Sequence, residues 1–255
     1  MALLIDIGNS ATKIVRARGR GLRRLASFPT ARMREHRGKI LGCLAGREGT
    51  IAVSSVVPRA LEILEEILRE GSRAEVRVAG RDLRIPIRSD VEERGAVGTD
   101  RLLESLGAWS DLRGKGRALI VVGFGSAITF NCVNARGVFL GGVIFPGFGL
   151  CAEALARETA ALPDVEVLPA VAGIGKNTRE AIRIGVFQGV VGAVSGILEE
   201  LAAEMGGEPE VYATGGGASA IAPHVARIRT VDEFLLFRGL QAALAGGGKQ
   251  RRRRV

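Results

Sequence analysis

The chain has few of the residues that build disulfide frameworks, metal centres and aromatic binding platforms. Its 255 residues include three cysteines and two histidines, and aromatic residues make up only 4%. Cys43, Cys132 and Cys151 show no Cys-x-x-Cys spacing, and His36 lies far from His224. We therefore expect neither a disulfide framework nor a Cys/His zinc site. A stacking surface for single-stranded nucleic acid would also have few rings to use.

Long uninterrupted apolar runs are absent as well. The weakly charged stretches 118–135 and 137–152 are broken by several glycines and by Pro146, which is typical of strands and turns rather than of a membrane span. The first six residues, Met-Ala-Leu-Leu-Ile-Asp, lack the basic segment of a signal peptide. We expect a soluble, cytoplasmic protein with no membrane partner.

Positive charge is in excess, and part of it is concentrated at the C-terminus. The net charge is +9, and Lys249 with Arg251–Arg254 places five cations in the last seven residues. The tail is interpreted as a solvated, disordered end, with a tether for nucleic acid as the other hypothesis. A second cluster between Arg16 and Arg24 is interpreted as a solvated basic hairpin. No nucleic-acid partner is expected.

The common nucleotide-binding and hydrolytic motifs are missing. No Gly-Lys pair is followed by Ser or Thr, and no complete G-x-G-x-x-G, H-E-x-x-H or G-x-S-x-G occurs. Any phosphate chemistry must therefore use a different phosphate-binding motif.

Two β-hairpins half a chain apart indicate two related lobes. The first runs through Ala2–Ser10 and Ala11–Ala17 with a Gly8-Asn9 tip, and the second runs through 118–126 and 128–133. Arg113–Gly116 is interpreted as a linker. The expected organisation is an N-terminal lobe over residues 1–114, a C-terminal lobe over 115–245 and a disordered basic tail over 246–255.

Helical patterns follow and separate these hairpins. The predicted helices are 60–69, 100–112, 149–161 and about 178–205, the last capped by Asn177 or Thr178. Gly185, Gly189, Gly192 and Gly196 share one face of the last helix. This stripe predicts close packing against another backbone, either within the chain or across a dimer.

Glycine-containing turns offer candidate phosphate sites. In Asp6-Ile7-Gly8-Asn9-Ser10, the glycine lets backbone N–H groups approach phosphate oxygens, Asp6 could hold hydrated Mg²⁺, and Lys13 could meet a terminal phosphate. Four further stretches combine small and polar residues at predicted turns or helix starts: Gly98-Thr99-Asp100-Arg101, Gly125-Ser126-Ala127-Ile128-Thr129, Gly175-Lys176-Asn177-Thr178 and Thr214-Gly215-Gly216-Gly217. A plain turn or cap explains each one singly, but five together favour anion binding.

In order and spacing, these segments resemble the type III pantothenate kinases of the acetate/sugar kinase–Hsp70–actin superfamily. The resemblance covers nearly the whole chain. It is carried by Asp6–Ser10, Gly98–Arg101, Gly141-Gly-Val-Ile-Phe-Pro-Gly147, Thr159-Ala-Ala-Leu-Pro163, Gly175–Thr178, Thr214–Gly216 and Leu236-Phe-Arg-Gly-Leu240. It implies an α/β fold of two ribonuclease-H-like lobes with a central cleft, a homodimer, and ATP-dependent phosphorylation of pantothenate at its primary hydroxyl, which opens coenzyme A synthesis. Mg²⁺ and a monovalent cation, K⁺ or NH₄⁺, are implied as cofactors.

The resemblance also implies roles for individual residues. ATP would be bound by Asp6, Gly8, Asn9, Ser10, Thr12, Lys13, Ser126, Gly215 and Gly216, with Asp6 reaching Mg²⁺ through water. Pantothenate would be bound by Gly98, Thr99, Asp100, Arg101 and Thr178. Asp100 would act as the base, and the Arg101 guanidinium suits the substrate carboxylate.

Some positions depart from the family pattern. Where the family reads Asp-Phe-Gly-Thr-Ala-Thr-Thr, this chain has Gly123-Phe-Gly-Ser-Ala-Ile-Thr129, so Gly123 replaces the aspartate of the monovalent-cation site. Asn131 also stands where an aspartate is usual, and 91–97 lacks the expected pocket aromatic and proline. An active kinase with an altered or absent cation requirement is the first hypothesis. A degenerate homologue that binds nucleotide or a partner without catalysis is the second, and a nucleic-acid-binding accessory protein acting through the tail is the third.

Overall fold

The computed structural model describes residues 2–44, 49–71, 74–112, 116–167 and 172–247. The strands are β1 (Ala2–Ile7), β2 (Ala11–Arg18), β3 (Gly21–Pro29), β4 (Thr50–Ser55), β5 (Glu75–Val78), β6 (Arg88–Ser89), β7 (Leu119–Phe124), β8 (Ala127–Val133), β9 (Val138–Pro146), β10 (Glu210–Gly215) and β11 (Thr230–Val231). The helices are α1 (Arg37–Leu44), α2 (Pro58–Gly71), α3 (Thr99–Leu112), α4 (Phe148–Glu158), α5 (Thr178–Glu204), α6 (Ala218–Ile221) and α7 (Leu235–Gly247).

The chain forms two compact units. The first combines Met1–Arg88, Glu92–Arg113 and Phe234–Val255, and the second combines Ser89–Val91 with Gly114–Glu233. Residues 234–247 thus pack with the N-terminal segments, whereas the sequence prediction assigned those up to 245 to the C-terminal lobe. Helix α7 also continues to Gly247, two residues into the predicted tail. Arg251–Arg254 and most of the predicted linker lie outside the described residues.

The first unit is built on a five-stranded sheet in the order β3-β2-β1-β4-β5. β1 pairs antiparallel with β2 and parallel with β4, so the Gly8-Asn9 turn lies at the carboxyl end of β1, as the sequence predicted. Successive side chains of a strand point to opposite faces. Leu3, Ile5 and Ile7 belong to the apolar cluster that also contains residues of α1 and α2. Asp6 therefore lies on the other face of the sheet.

That other face is covered by α3 and α7, which contact each other along their length and contact β4. Glycines let the two helices approach at backbone distance. A Cβ atom placed on Gly107 would collide with the carbonyl oxygen of Leu235, and one placed on Gly239 would collide with that of Leu103. The close crossing fixes the helix that begins at Thr99 against the sheet.

The second unit repeats this plan. Its sheet has the order β11-β10-β7-β8-β9-β6, in which β9-β8-β7-β10-β11 matches β3-β2-β1-β4-β5 of the first unit. β7 is buried along its whole length, as its apolar sequence predicts, and pairs antiparallel with β8 and parallel with β10. Stretches 118–135 and 137–152 are thus mainly strands. The predicted pair of hairpin-led α/β lobes is confirmed.

Helix α5 packs one face on the core of the second unit through Ile182, Val186, Val190, Val194 and Leu198. Asn177 caps it by accepting a hydrogen bond from the Glu180 backbone N–H at 3.0 Å, as one of the two predicted caps. The glycine stripe lies on a different face of the helix, beside these core residues. By length and composition alone α5 would pass as a membrane span, which is weak evidence because core helices pass the same test.

Candidate active site

Three polar side chains form a row across the first sheet. Asp6 of β1 lies directly opposite Lys13 of β2 and directly beside Ser54 of β4 in the strand register. Residues paired in this way project to the same face of a sheet, about 5 Å apart. The row therefore runs Lys13, Asp6, Ser54 on the face covered by α3, at the carboxyl end of β1 and β4. This is the edge at which open α/β sheets bind ligands.

Helix α3 brings a second carboxylate to this row. Asp100 lies in the first turn of α3, where the helix dipole favours negative charge. Its Oδ1 accepts a hydrogen bond from the Arg101 backbone N–H at 2.9 Å. A side chain at position 98 would collide with the same Oδ1 atom. Glycine at this position therefore leaves enough space for the Asp100 carboxylate. Gly98, Thr99, Asp100 and Arg101 are thus held as one turn.

Asp100 acts on the charge of Asp6. Loss of hydration on burial raises the pKa of Asp6 to about 7, the Lys13 ammonium acts to lower it, and the Asp100 carboxylate raises it further. No hydrogen bond joins the Asp6 side chain to another described residue. The apo protein therefore stabilises the Asp6 carboxylate poorly, which suits a group whose partner is a cation.

Glu104 adds a third carboxyl group, one helical turn after Asp100. Burial is the main reason that its pKa rises to about 8, and Asp100 and Asp6 raise it further, while Lys13 and Arg101 act in the opposite direction. At neutral pH Glu104 is therefore mostly protonated. Sequence reasoning missed this residue, although its i, i+4 spacing from Asp100 was a usable signal.

The tip of the first hairpin is held open toward solvent by buried threonines. The Gly8 N–H donates to the Ala11 carbonyl at 3.1 Å, and the Thr30 hydroxyl donates to the Gly8 carbonyl at 2.7 Å. Thr12 is fully buried, and its hydroxyl lies 3.0 Å from that of Thr30. Asn9 and Ser10 are exposed at the tip. The Thr12 side chain thus supports the turn, and its ATP contact stays a prediction.

The carboxylates fit a magnesium ion that also has phosphate ligands. Across the described ranges, no group of three or more His, Cys, Asp or Glu side chains is arranged to enclose a metal. Mg²⁺ usually keeps several waters and takes only one or two carboxylates together with substrate phosphates. Asp6, whose carboxylate receives no hydrogen bond from the residues that the structure describes, suits that mode.

In the second unit, two predicted phosphate loops meet. The Ser126 turn joins β7 to β8, and Gly215 ends β10 directly beside Phe124 of β7. Gly215 has φ +93°, and a Cβ atom there would collide with the Phe124 carbonyl. Gly147 packs just as closely on the Ser126 turn, to which its N–H donates at 3.0 Å. Ser126, Gly215 and Gly216 thus share one sheet edge.

The predicted change at the monovalent-cation position is visible in the same sheet. Gly123 is buried and lies opposite Thr129 on β8. Asn131, two residues further on the same face, is fully buried, and its Nδ2 donates to the Thr129 hydroxyl at 3.4 Å. This face offers an amide and a hydroxyl at these positions but no carboxylate, so the residues present do not fit a charged ligand set for K⁺ or NH₄⁺.

Thr178 lies at the start of α5 in the second unit. It is exposed and lines an apolar groove of about 530 Å³ beside Phe145, Cys151 and Gly185. The pantothenate contact implied for Thr178 by the resemblance stays a prediction.

Ser54 and Thr99 add two buried hydroxyl groups to this part of the first unit. Both have a buried hydroxyl oxygen with no hydrogen-bond partner in the described chain. Thr99 was predicted as a site residue, and Ser54 was not. No local pattern marks Ser54, because only the pairing of β4 with β1 brings it beside Asp6.

Comparisons with known proteins agree with this arrangement. A model of the type III pantothenate kinase family matches residues 2–200. A type III pantothenate kinase from Anaeromyxobacter sp. strain K is 35% identical over 250 residues, covering 94% of this chain and 97% of the relative. Among solved structures, a Campylobacter jejuni protein named for the Baf family of transcriptional activators is 20% identical, with a TM-score of 0.60 over 96% of this chain and 98% of that one.

A second solved structure extends the fold to sugar kinases. A Sinorhizobium meliloti protein assigned as a 2-dehydro-3-deoxygalactonokinase is 16% identical, with a TM-score of 0.58 over 98% of this chain and all of that one. At such identities the likeness concerns the fold alone, which is that of the sugar kinases and actin-like ATPases. With the family model covering most of its length, the chain belongs to the type III pantothenate kinase family.

Proposed function

We propose that the protein transfers the γ-phosphoryl group of ATP to the primary hydroxyl of pantothenate, giving 4′-phosphopantothenate and opening coenzyme A synthesis. The observation that supports the proposal is the pairing of Asp6 with Lys13 on one face of the sheet, together with the electrostatic effect of Asp100 on Asp6. Phosphoryl transfer needs an oriented hydroxyl and neutralised phosphate charge more than it needs covalent chemistry by the protein. This group of side chains can supply both.

Each residue has a role in that reaction. Asp100 accepts the proton as the pantothenate oxygen forms its bond to the γ-phosphorus, and the bond to the bridging oxygen breaks with its electrons leaving on ADP. Lys13 binds a terminal phosphate, and the Arg101 guanidinium binds the pantothenate carboxylate. Mg²⁺, when bound through water to Asp6, would neutralise phosphate charge. The exposed hairpin tip presents backbone N–H groups to the phosphates.

A coupled assay of ADP release tests this function directly. With ATP, Mg²⁺ and pantothenate present, we expect ADP to form and mass spectrometry to detect phosphopantothenate. Omission of pantothenate should abolish ADP release above background. Absence of product at every K⁺ and NH₄⁺ concentration would contradict the proposal.

The replacement at Gly123 favours one alternative, a homologue that binds nucleotide without turnover. The two proposals predict different results when binding is measured by calorimetry and turnover is measured in the coupled assay. Binding of ATP or pantothenate without product formation would support the alternative, whereas rescue of a strain lacking pantothenate kinase would exclude it. We also propose that a kinase reaction here needs no monovalent cation, because the Gly123 face offers no carboxylate.

We further propose that the protein is a homodimer joined through the glycine stripe of α5. A Cβ atom on Gly185, Gly189, Gly192 or Gly196 would meet no other atom of the described chain within 4 Å. The alternative of close packing within the chain is therefore not observed there. The apolar groove beside Gly185 and Gly189 continues this face. A second copy of α5 matches such a surface.

Light scattering after size-exclusion chromatography tests the dimer. We expect the wild type to elute as a dimer and Gly189→Arg as a monomer. Gly42→Arg is the matched control, since Gly42 is an exposed helical glycine of α1 with open space around it. A Gly189→Arg variant that stays dimeric would contradict the assignment.

We place the enzyme in the cytoplasm. Cys43, Cys132 and Cys151 are free thiols, which suits a reducing compartment. Fractionation of cells that produce the tagged chain, with the activity recovered in the soluble fraction, is the expected result.

A further inference from the structure

Ser54 has a hydroxyl group that the protein itself does not use. The residue is fully buried, and its Oγ atom has no hydrogen-bond partner among the residues that the structure describes. A buried hydroxyl without a partner is costly, and the great majority of buried polar groups find one. The neighbouring serine shows the ordinary arrangement: the Ser55 hydroxyl accepts from the Val57 N–H at 3.1 Å and lies 3.2 Å from the Val57 carbonyl.

The strand register aims Ser54 at the site. Ile51 and Val53 of β4 belong to the cluster on the α1/α2 face, so the alternation of the strand directs Ser54 to the opposite face, where Asp6 lies beside it. Lys13 flanks Asp6 on the other side. The unused hydroxyl is thus part of the row described above and not an isolated core defect.

A second buried hydroxyl lies on the same side of Asp6. Thr99 Oγ1 also has no hydrogen-bond partner in the described chain. The Thr99 methyl group lies against Gly80, where an added Cβ atom would be 2.9 Å away. Gly80 follows β5, which is the strand next to β4. Both hydroxyls therefore belong to the β4–β5 side of Asp6.

The charges around this side select the kind of group that can bind there. Asp6, Asp100 and Glu104 interact with one another closely enough to raise the pKa of Asp6 and Glu104. A triphosphate oxygen is attracted by the Lys13 ammonium and is therefore better placed on the Lys13 side than beside these carboxyl groups. A neutral polar group, such as the hydroxyl or amide of the acceptor, has no such penalty.

We propose that Ser54 is a substrate-binding residue, whose hydroxyl hydrogen-bonds a neutral polar group of the acceptor alcohol on the β4–β5 side of Asp6. This inference rests on the proposed function, since it takes pantothenate as the acceptor. The hydroxyl of Ser54 would then have a hydrogen-bond partner only when the acceptor is bound.

The test is Ser54→Ala, with Ser55→Ala as the matched control. Loss of one neutral hydrogen bond to substrate should raise the KM and the calorimetric Kd for pantothenate about tenfold and leave the KM for ATP unchanged. Because the deleted hydroxyl has no hydrogen-bond partner among the described residues, the apo Tm should be unchanged or higher. Ser55→Ala should lower the Tm and leave the KM for pantothenate unchanged.

Three results would overturn the proposal: an unchanged pantothenate KM and Kd in Ser54→Ala, an equal rise in the KM for ATP, or an apo Tm that falls as far as in Ser55→Ala. The wild type is measured in the same series. An active wild type with an unaffected Ser54→Ala variant overturns the Ser54 assignment alone, whereas a wild type that neither binds nor phosphorylates pantothenate overturns the proposed function and this inference with it.

Discussion

Asp6 and Lys13 are direct cross-strand partners in the β1–β2 pair, so a carboxylate and an ammonium stand side by side on the face covered by α3. The pair places a group that favours anions beside a group that favours cations. An ammonium group attracts phosphate, and a carboxylate attracts the cation that accompanies phosphate. The hairpin thus carries a positive group suited to the phosphates and a negative group suited to the metal ion of a metal–nucleotide complex.

Replacing Lys13 should therefore weaken ATP binding selectively. In Lys13→Met we expect the KM for ATP to rise at least ~10-fold, because a charge-assisted contact with phosphate is lost, and the KM for pantothenate to change little. Steady-state kinetics with each substrate varied in turn measures both. Lys39→Met, at an exposed position of α1, is the control. Equal effects on the two KM values would contradict the assignment.

Replacing Asp100 should remove the base. We expect Asp100→Asn to lower kcat by at least ~100-fold, the usual scale for losing a general base, while calorimetry still detects pantothenate. Asp111→Asn, at an exposed position on the same helix, should keep wild-type rates. An Asp100→Asn variant with unchanged kcat would remove Asp100 from this role.

Glu104 should make the apo protein less stable as the pH rises. Its pKa is about 8 in the folded chain against an ordinary 4.5, so the unfolded chain loses this proton first. The stability contribution of protonated Glu104 is fully present below about pH 4.5 and is lost as the pH rises through about 8. Urea unfolding between pH 5 and pH 8.5 should show this decline, and Glu104→Gln should show a smaller one. Identical slopes would count against a buried, protonated Glu104.

The contact between α3 and α7 should tolerate no added methyl group. Gly239→Ala would drive a Cβ atom into the Leu103 carbonyl, and we expect a loss of about 3 kcal/mol in the free energy of unfolding. Gly42→Ala, at a helical glycine with nothing within 4 Å, should instead gain up to about 1 kcal/mol. Denaturant titration measures both variants. A neutral Gly239→Ala would show that the helices can separate.

Removal of monovalent cations should leave turnover intact. Gly123 supplies no carboxylate, and the Asn131 amide is neutral, so K⁺ has little to gain at this face. Initial rates in KCl, NH₄Cl and tetramethylammonium chloride at equal ionic strength should agree within about twofold. Activation of tenfold or more by K⁺ would show that the lost carboxylate is replaced from elsewhere.

Local sequence patterns predicted much of the fold. The glycine turns predicted both hairpins, and the polar start of α5 predicted its cap. Helix ends were less accurate. α2 begins at Pro58 rather than at position 60, since proline suits the first helical turn, and α4 ends at Glu158 rather than at 161, where the extended backbone of Thr159 stops it.

Features that depend on distant pairing escaped prediction. Ser54 is beside Asp6 only because β4 pairs with β1 in one register, and a slip of one residue would turn it to the other face. The place of α7 in the first unit also depends on contacts with α3 that no sequence window spans. Gly107 and Gly239 are the sequence features that permit this contact. Their role becomes visible only when the two helices are known to pack against each other.

The support of α3 by α7 has a consequence for biosynthesis. The helix that bears Asp100 is synthesised well before α7, the helix that packs on it. The first unit therefore cannot complete this face until α7 has left the ribosome, and products of premature stop codons before residue 235 would leave the sheet face without that cover. Only a chain that includes α7 can hold Asp100 in place through this contact.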